Sequence, residues 1–152
     1  MKNYTYIYVL FFGITFYFIS TKNTIKNINP NAPDLELSSS NTFVVKKYST
    51  DPKYGYDPDY PINIFFENTK NDTINQERYL KALAGPNDET LLYKRKKSCC
   101  PFTSKNGGIG AGMLDVYEIT WKNNKKPLEI YFNIYEKGEL YAPVGLTIKK
   151  LF

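Results

Sequence analysis

Leu128, Ile130, Phe132 and Ile134 occupy every second position of one segment, with Glu129, Tyr131, Asn133 and Tyr135 between them. Side chains alternate across an extended strand, so this spacing makes one face apolar and leaves the other mixed. It calls for a half-buried antiparallel strand. The polar connection Lys122–Pro127 leads back to a second strand-like stretch, Leu114–Trp121, as in a hairpin. A sheet with one apolar face needs a cover. The segment 74–84 supplies it as a helix, with Tyr79, Leu80 and Leu83 on one face and Ile74 near the start. Thr73 and Gln76 read as a capping box, and Gly85 followed by Pro86 reads as the stop. At under four turns this helix is stable only when packed on something. Further short strands are expected at 42–49, 62–66, 90–97 and 146–151, whereas 51–61, with three prolines, is a loop. The expected fold class is α+β: a small antiparallel sheet of about four or five strands with one packed helix.

A second feature divides the chain. Residues 4–20 (YTYIYVLFFGITFYFIS) form an uncharged, mostly apolar run, with Lys2 before it and Lys22 and Lys26 after it. That is the layout of a signal peptide or a signal anchor. As a helix the run would span about 25 Å, the short end of a membrane crossing. Phe18-Ile19-Ser20 lacks the small residue that a signal peptidase wants at the −3 position, which favours an uncleaved anchor over cleavage. The expected organisation is an N-terminal apolar helix over 1–20, acting as signal peptide or membrane anchor. A flexible spacer over 21–41 (TKNTIKNINPNAPDLELSSSN) and an α+β domain over 42–152 follow it. The expected location is the cell envelope, membrane-anchored or exported.

The chemistry available is narrow. The chain contains no histidine, the usual general base of serine and cysteine nucleophiles. Lys97 adjoins Ser98 in sequence, but neighbours on a chain do not face each other. Among Asp115, Glu118, Glu129, Glu136 and Glu139, the pair Asp115 and Glu129 is expected to share a sheet face. A solvated face explains these charges better than the paired carboxylates of a glycosidase. The basic run Lys94-Arg95-Lys96-Lys97 follows Tyr93. An anchored domain outside the cytoplasm meets no nucleic acid, so this run suits a solvated strand end, phosphate head groups or anionic glycans. Metals and cofactors are not expected, since two thiolates without histidine do not close a zinc site.

The only two cysteines, Cys99 and Cys100, are adjacent. Neighbouring Cα atoms stand about 3.8 Å apart, below the usual disulfide range of about 4.4–6.8 Å. Two readings stay open. One is a redox-sensitive or rigid binding loop. The other is a pair that is reduced beside Phe102, or oxidised for structural reasons only. Tyr117, Tyr131 and Tyr135, with Trp121, take strand positions opposite the aliphatic set. There they either bind a sugar or protein, or fill a second core.

Four segments together resemble a known family: DPKYGY at 51–56, LKALAGPNDE at 80–89, SCCPF at 98–102 with the glycine-rich turn 107–112, and LDVYEITW to GELYAPVGLT over 114–147. They look like the small envelope proteins of Bacteroidetes, many of them lipoproteins, that commonly carry the name 2-dehydro-3-deoxyphosphooctonate aldolase. The resemblance implies an envelope location, and its name implies a sugar-phosphate aldolase. The residues argue against that reaction. The (β/α)₈ barrel of such aldolases needs roughly 200 residues or more. The glycine-rich turn leads into a strand, whereas a phosphate site favours a helix N-terminus. No lipid-accepting cysteine follows the apolar run, unlike the lipoprotein pattern.

The expected function is therefore a non-catalytic domain that binds an envelope protein or a glycan and has no catalytic residues. The candidate binding residues are Cys99, Cys100, Phe102, Gly107, Gly108, Tyr117, Trp121, Tyr131 and Tyr135. The alternatives are the aldolase and a redox-responsive module built on the cysteine pair.

Overall fold

The computed structural model describes residues 24–65 and 72–150. The apolar run 4–20 and its expected helix lie outside the described residues, as do Phe66 and the last two residues. The described elements are β1 (Lys47–Tyr48), β2 (Ile62–Asn63), α1 (Asp72–Lys81), β3 (Leu83–Ala84), β4 (Leu92–Thr103), β5 (Ala111–Thr120), β6 (Leu128–Asn133), β7 (Tyr141–Ala142) and β8 (Thr147–Ile148). The fold is α+β, mostly strands with one helix. The main sheet runs β2-β6-β5-β4, and two small sheets pair β1 with β7 and β3 with β8.

The β5–β6 hairpin is present and antiparallel. The main sheet is nevertheless mixed, because β2 joins β6 in parallel, and β1 joins β7 in parallel as well. Both parallel partners arrive from far away in the chain, so no local turn could announce them.

The alternation in β6 behaves as its spacing demands. Ile130 and Phe132 are fully buried. Tyr79 of α1 meets Phe132 edge-on at 5.7 Å, and Tyr117 of β5 meets the same ring at 5.4 Å. Leu80, Ile62, Ile64 and Ile119 complete the centre of this core.

The helix differs at both ends from its sequence signals. It begins at Asp72, so Thr73 lies within it. Gln76 is fully buried and donates to Asp115 at 2.9 Å instead of reaching back to cap the first turn. Ile74 is exposed. The helix stops at Lys81 because Leu83 and Ala84 pair with Ile148 and Thr147, and Lys149 N–H donates to the Ala82 carbonyl. The expected final strand is this β8. Gly85 does not carry a left-handed cap. A Cβ there would meet Trp121 at 3.0 Å, so the glycine makes room for the indole.

The expected spacer is packed from residue 24 onward. Ile25 and Ala32 are buried. Asn27 Nδ2 donates to the Pro61 carbonyl, and Asn63 Nδ2 donates back to the Asn27 carbonyl. Lys26 N–H reaches Asp59 and Asn29 N–H reaches Lys137. The segment is polar, but its backbone groups and asparagines find partners in the domain, which is how a polar segment can be ordered.

Candidate functional site

Strand β4 carries both the basic run and the cysteines. It is longer than the expected 90–97 and takes in the whole SCCPF segment. Its ladder with β5 slips between Arg95 and Lys97, and again between Cys99 and Phe102. Cys99 and Cys100 form a disulfide inside the second slip, with their Cα atoms 3.7 Å apart. Cys100 has a φ of 56°, rare for a residue with a Cβ. Pro101 follows it, on a strand that pairs only with β5 among the described residues, and an edge is where a strand tolerates proline.

On one face of this hairpin sits a small second core. Ile25, Phe102 and Leu114 are its buried members. Ile28, Cys99, Cys100, Tyr131 and Tyr135 pack around them, half-buried. Phe102 lies opposite Gly112 in the ladder. The hairpin loop is tied to the end of β6. Ser104 Oγ donates to Glu136 at 2.6 Å, and Asn106 Nδ2 donates to the Tyr135 carbonyl at 2.7 Å. A Cβ on Gly107 would run into the Ala111 carbonyl. Gly108 and Gly110 have open space around them, and Ile109 between them is 93 % exposed.

The structure thus gathers Cys99, Cys100, Phe102, Tyr131 and Tyr135 into one cluster, with Gly107 and Gly108 at the adjoining tip. It does not bring Tyr117 or Trp121 there. Tyr117 pairs with Ile130, so its side chain lies on the helix-covered face and is buried. Trp121 packs against that same core.

The carboxylates separate too. Asp115 stands opposite Phe132, whereas Glu129 stands opposite Glu118. The two therefore point to opposite faces and share no cleft. Asp115 is buried and accepts from Arg95 Nη2 at 2.6 Å, Ser98 Oγ at 2.9 Å and Gln76 Nε2 at 2.9 Å. Gln76 Oε1 has no hydrogen-bond partner among the described residues. Glu118 receives Lys94 at 2.8 Å and Lys96 at 2.9 Å, and these bonds hold its carboxyl below the usual range. Much of the basic run is thus matched within the sheet itself. The Tyr131 phenol is pushed up by burial and by the nearby charges of Glu129 and Asp57.

Cavities are small. A groove lined by Leu35, Val44, Lys46 and Leu140 holds about 110 Å³, below the roughly 300 Å³ of a small-molecule site. Among the described residues, no three side chains of the metal-ligating kinds converge, and no helix is long and apolar enough to cross a membrane.

Three features escaped the sequence reading. The contribution of Ile25 and Ile28 was hidden in a polar segment. The Asp115 network left one trace, a lone carboxylate flanked by Leu114 and Val116. The exposure of Ile109 left none beyond the glycines on either side of it. Comparison of the chain with protein-family models, with curated proteins and with solved structures gives no match.

Proposed function

We propose that this chain is a membrane-attached or exported domain of the cell envelope that acts by binding a protein or glycan partner. Its contact surface is the disulfide cluster on the β4–β5 hairpin. One observation carries the reading: Cys99 and Cys100 are joined, and half-buried Tyr131 and Tyr135 flank the same cluster. Disulfides persist in oxidising compartments outside the cytoplasm. Tyrosines with one face packed and one free are suited to contact with sugars or proteins. The apolar run 4–20 and the resemblance to small envelope proteins point to the same compartment.

The test is a photo-reactive phenylalanine analogue placed at Tyr135 in the full chain and irradiated in intact cells. The same analogue at Leu92, exposed at the far end of β4, is the control. The reading expects a discrete adduct from position 135 and none from position 92. Absence of any adduct from 135 overturns it.

The disulfide also favours a second reading, a redox-responsive module. Replacing both cysteines by serine separates the two. Under the redox reading function is abolished, whereas under the binding reading the adduct at position 135 persists.

A further inference from the structure

We infer that the tip of the β4–β5 hairpin, centred on Ile109, rests in the head-group region of an anionic lipid bilayer. This rests on the membrane attachment proposed above and adds a second contact to it.

Ile25 is buried against Phe102 and Leu114, near the loop end of the hairpin. The apolar run ends at Ser20, five residues earlier. Five residues reach at most about 17 Å even when fully extended. If the run is held in a membrane, the Ile25–Phe102 cluster therefore lies within about 17 Å of where the chain leaves it.

The tip is the part of the sheet beyond that cluster. After the Phe102–Gly112 pair comes one more pair, Thr103 with Ala111, and then the loop. That is roughly 10 Å of extended chain at about 3.3 Å per residue. The tip can thus span much of the gap that the tether leaves. Leu92, a strongly exposed apolar residue at the start of β4, lies ten residues from Phe102 in the opposite direction, roughly 33 Å away along the strand.

The chemistry of the tip suits that surface. Ile109 is 93 % exposed, and among the described residues nothing stands within 4 Å of where a Cβ would sit on Gly108 or Gly110. Met113, just past the loop, is 45 % exposed. Lys105 is the only charged residue between Pro101 and Leu114, and the one carboxylate tied to the loop, Glu136, is bonded at its base by Ser104 and Asn106. An apolar prong beside a lysine matches anionic head groups above acyl chains.

The test uses the full chain reconstituted into vesicles of phosphatidylcholine and phosphatidylglycerol, with bromine high on the acyl chains. Two variants, I109W and L92W, each add a tryptophan at an exposed site that leaves the core untouched. The wild-type signal from Trp121 is subtracted. The expected result is that I109W emission shifts to shorter wavelength and loses intensity to the bromines, whereas L92W emission does neither. If the protein floats with the vesicles but I109W is unquenched, or if both variants are quenched alike, the tip contact is wrong while the attachment stands. Failure to float overturns both.

Discussion

Phe102 and Tyr135 meet edge-on with their ring centroids 5.9 Å apart, across the space left by Gly112. A Cβ at that glycine would stand 2.7 Å from Phe102 Cζ and 2.7 Å from Tyr135 Cδ2. The second core, and with it the seat of the N-terminal segment, depends on this absence of a side chain. Gly112→Ala is accordingly expected to destabilise by about 1–3 kcal/mol, the usual cost of overpacking. Gly108→Ala, in open space, should change stability by no more than about 0.5 kcal/mol. Urea denaturation of both variants checks the contrast.

Asp115 joins the helix to the sheet edge through Gln76 on one side and Arg95 and Ser98 on the other. Asp115→Ala leaves Gln76 Nε2 buried without its acceptor, beside an Oε1 that already lacks a partner among the described residues. The expected cost is about 1–3 kcal/mol. Arg95→Ala should cost less, because the guanidinium side chain is 44 % exposed and water can replace it. Equal losses in thermal or urea unfolding would mean that the ion pair, not the buried amide, sets the energy.

Alkaline pH should unfold this domain through its tyrosines. Tyr79 Oη donates to the Tyr141 carbonyl at 2.6 Å, and Tyr54 Oη donates to the Glu139 carbonyl at 3.1 Å. Burial pushes both phenols well above the ordinary value, and it pushes Tyr56 up to about 12. The fold favours the protonated form. Its contribution is therefore complete below the unfolded value of about 10 and is lost as pH rises through the folded values. Stability should hold level to about pH 10 and then fall. In Tyr79→Phe the fall should be shallower, at the cost of about 1–3 kcal/mol at neutral pH for the unpaired Tyr141 carbonyl. Denaturation midpoints from pH 7 to 12 give the answer.

The disulfide should contribute little to global stability. It closes the smallest possible loop, between adjacent residues, so it removes little freedom from the unfolded chain. Cys99→Ser with Cys100→Ser is expected to cost on the order of 1 kcal/mol. The larger effect should be local. Amide exchange at Ile25 and Ile28, which pack beside the pair, should quicken while the main core around Phe132 stays protected. A loss of several kcal/mol would show that the pair holds the whole fold.

The legible parts of this fold are those where one face is apolar and the other carries polar or amphipathic residues, whether or not water reaches them. In β6 the alternation of Ile130 and Phe132 with Glu129 and Tyr131 identified both strand and face. In β5 it failed, because Leu114 and Val116 are buried on one side while Tyr117 and Ile119 are buried on the other. A strand covered on both faces has no alternation to read, so its spacing does not tell that Tyr117 shares the face of Ile130. The Thr73–Gln76 spacing matched a capping box, but a buried carboxylate on β5 claimed the glutamine. The helix end was overridden by pairing of β3 with β8, a contact between segments more than 60 residues apart. Of the candidate site, five residues gather in one cluster. Tyr117 and Trp121 went astray with the face assignment.

The most direct measurement is the intact mass of the protein recovered from each fraction of its native cells, alkylated before and after reduction. The account predicts a chain recovered in the membrane fraction with residues 1–20 still present, or in the exported fraction without them. It further predicts no alkylation before reduction and two added groups after it, one on each of Cys99 and Cys100. Two groups added without reduction, on protein recovered from the cytoplasmic fraction, would contradict it.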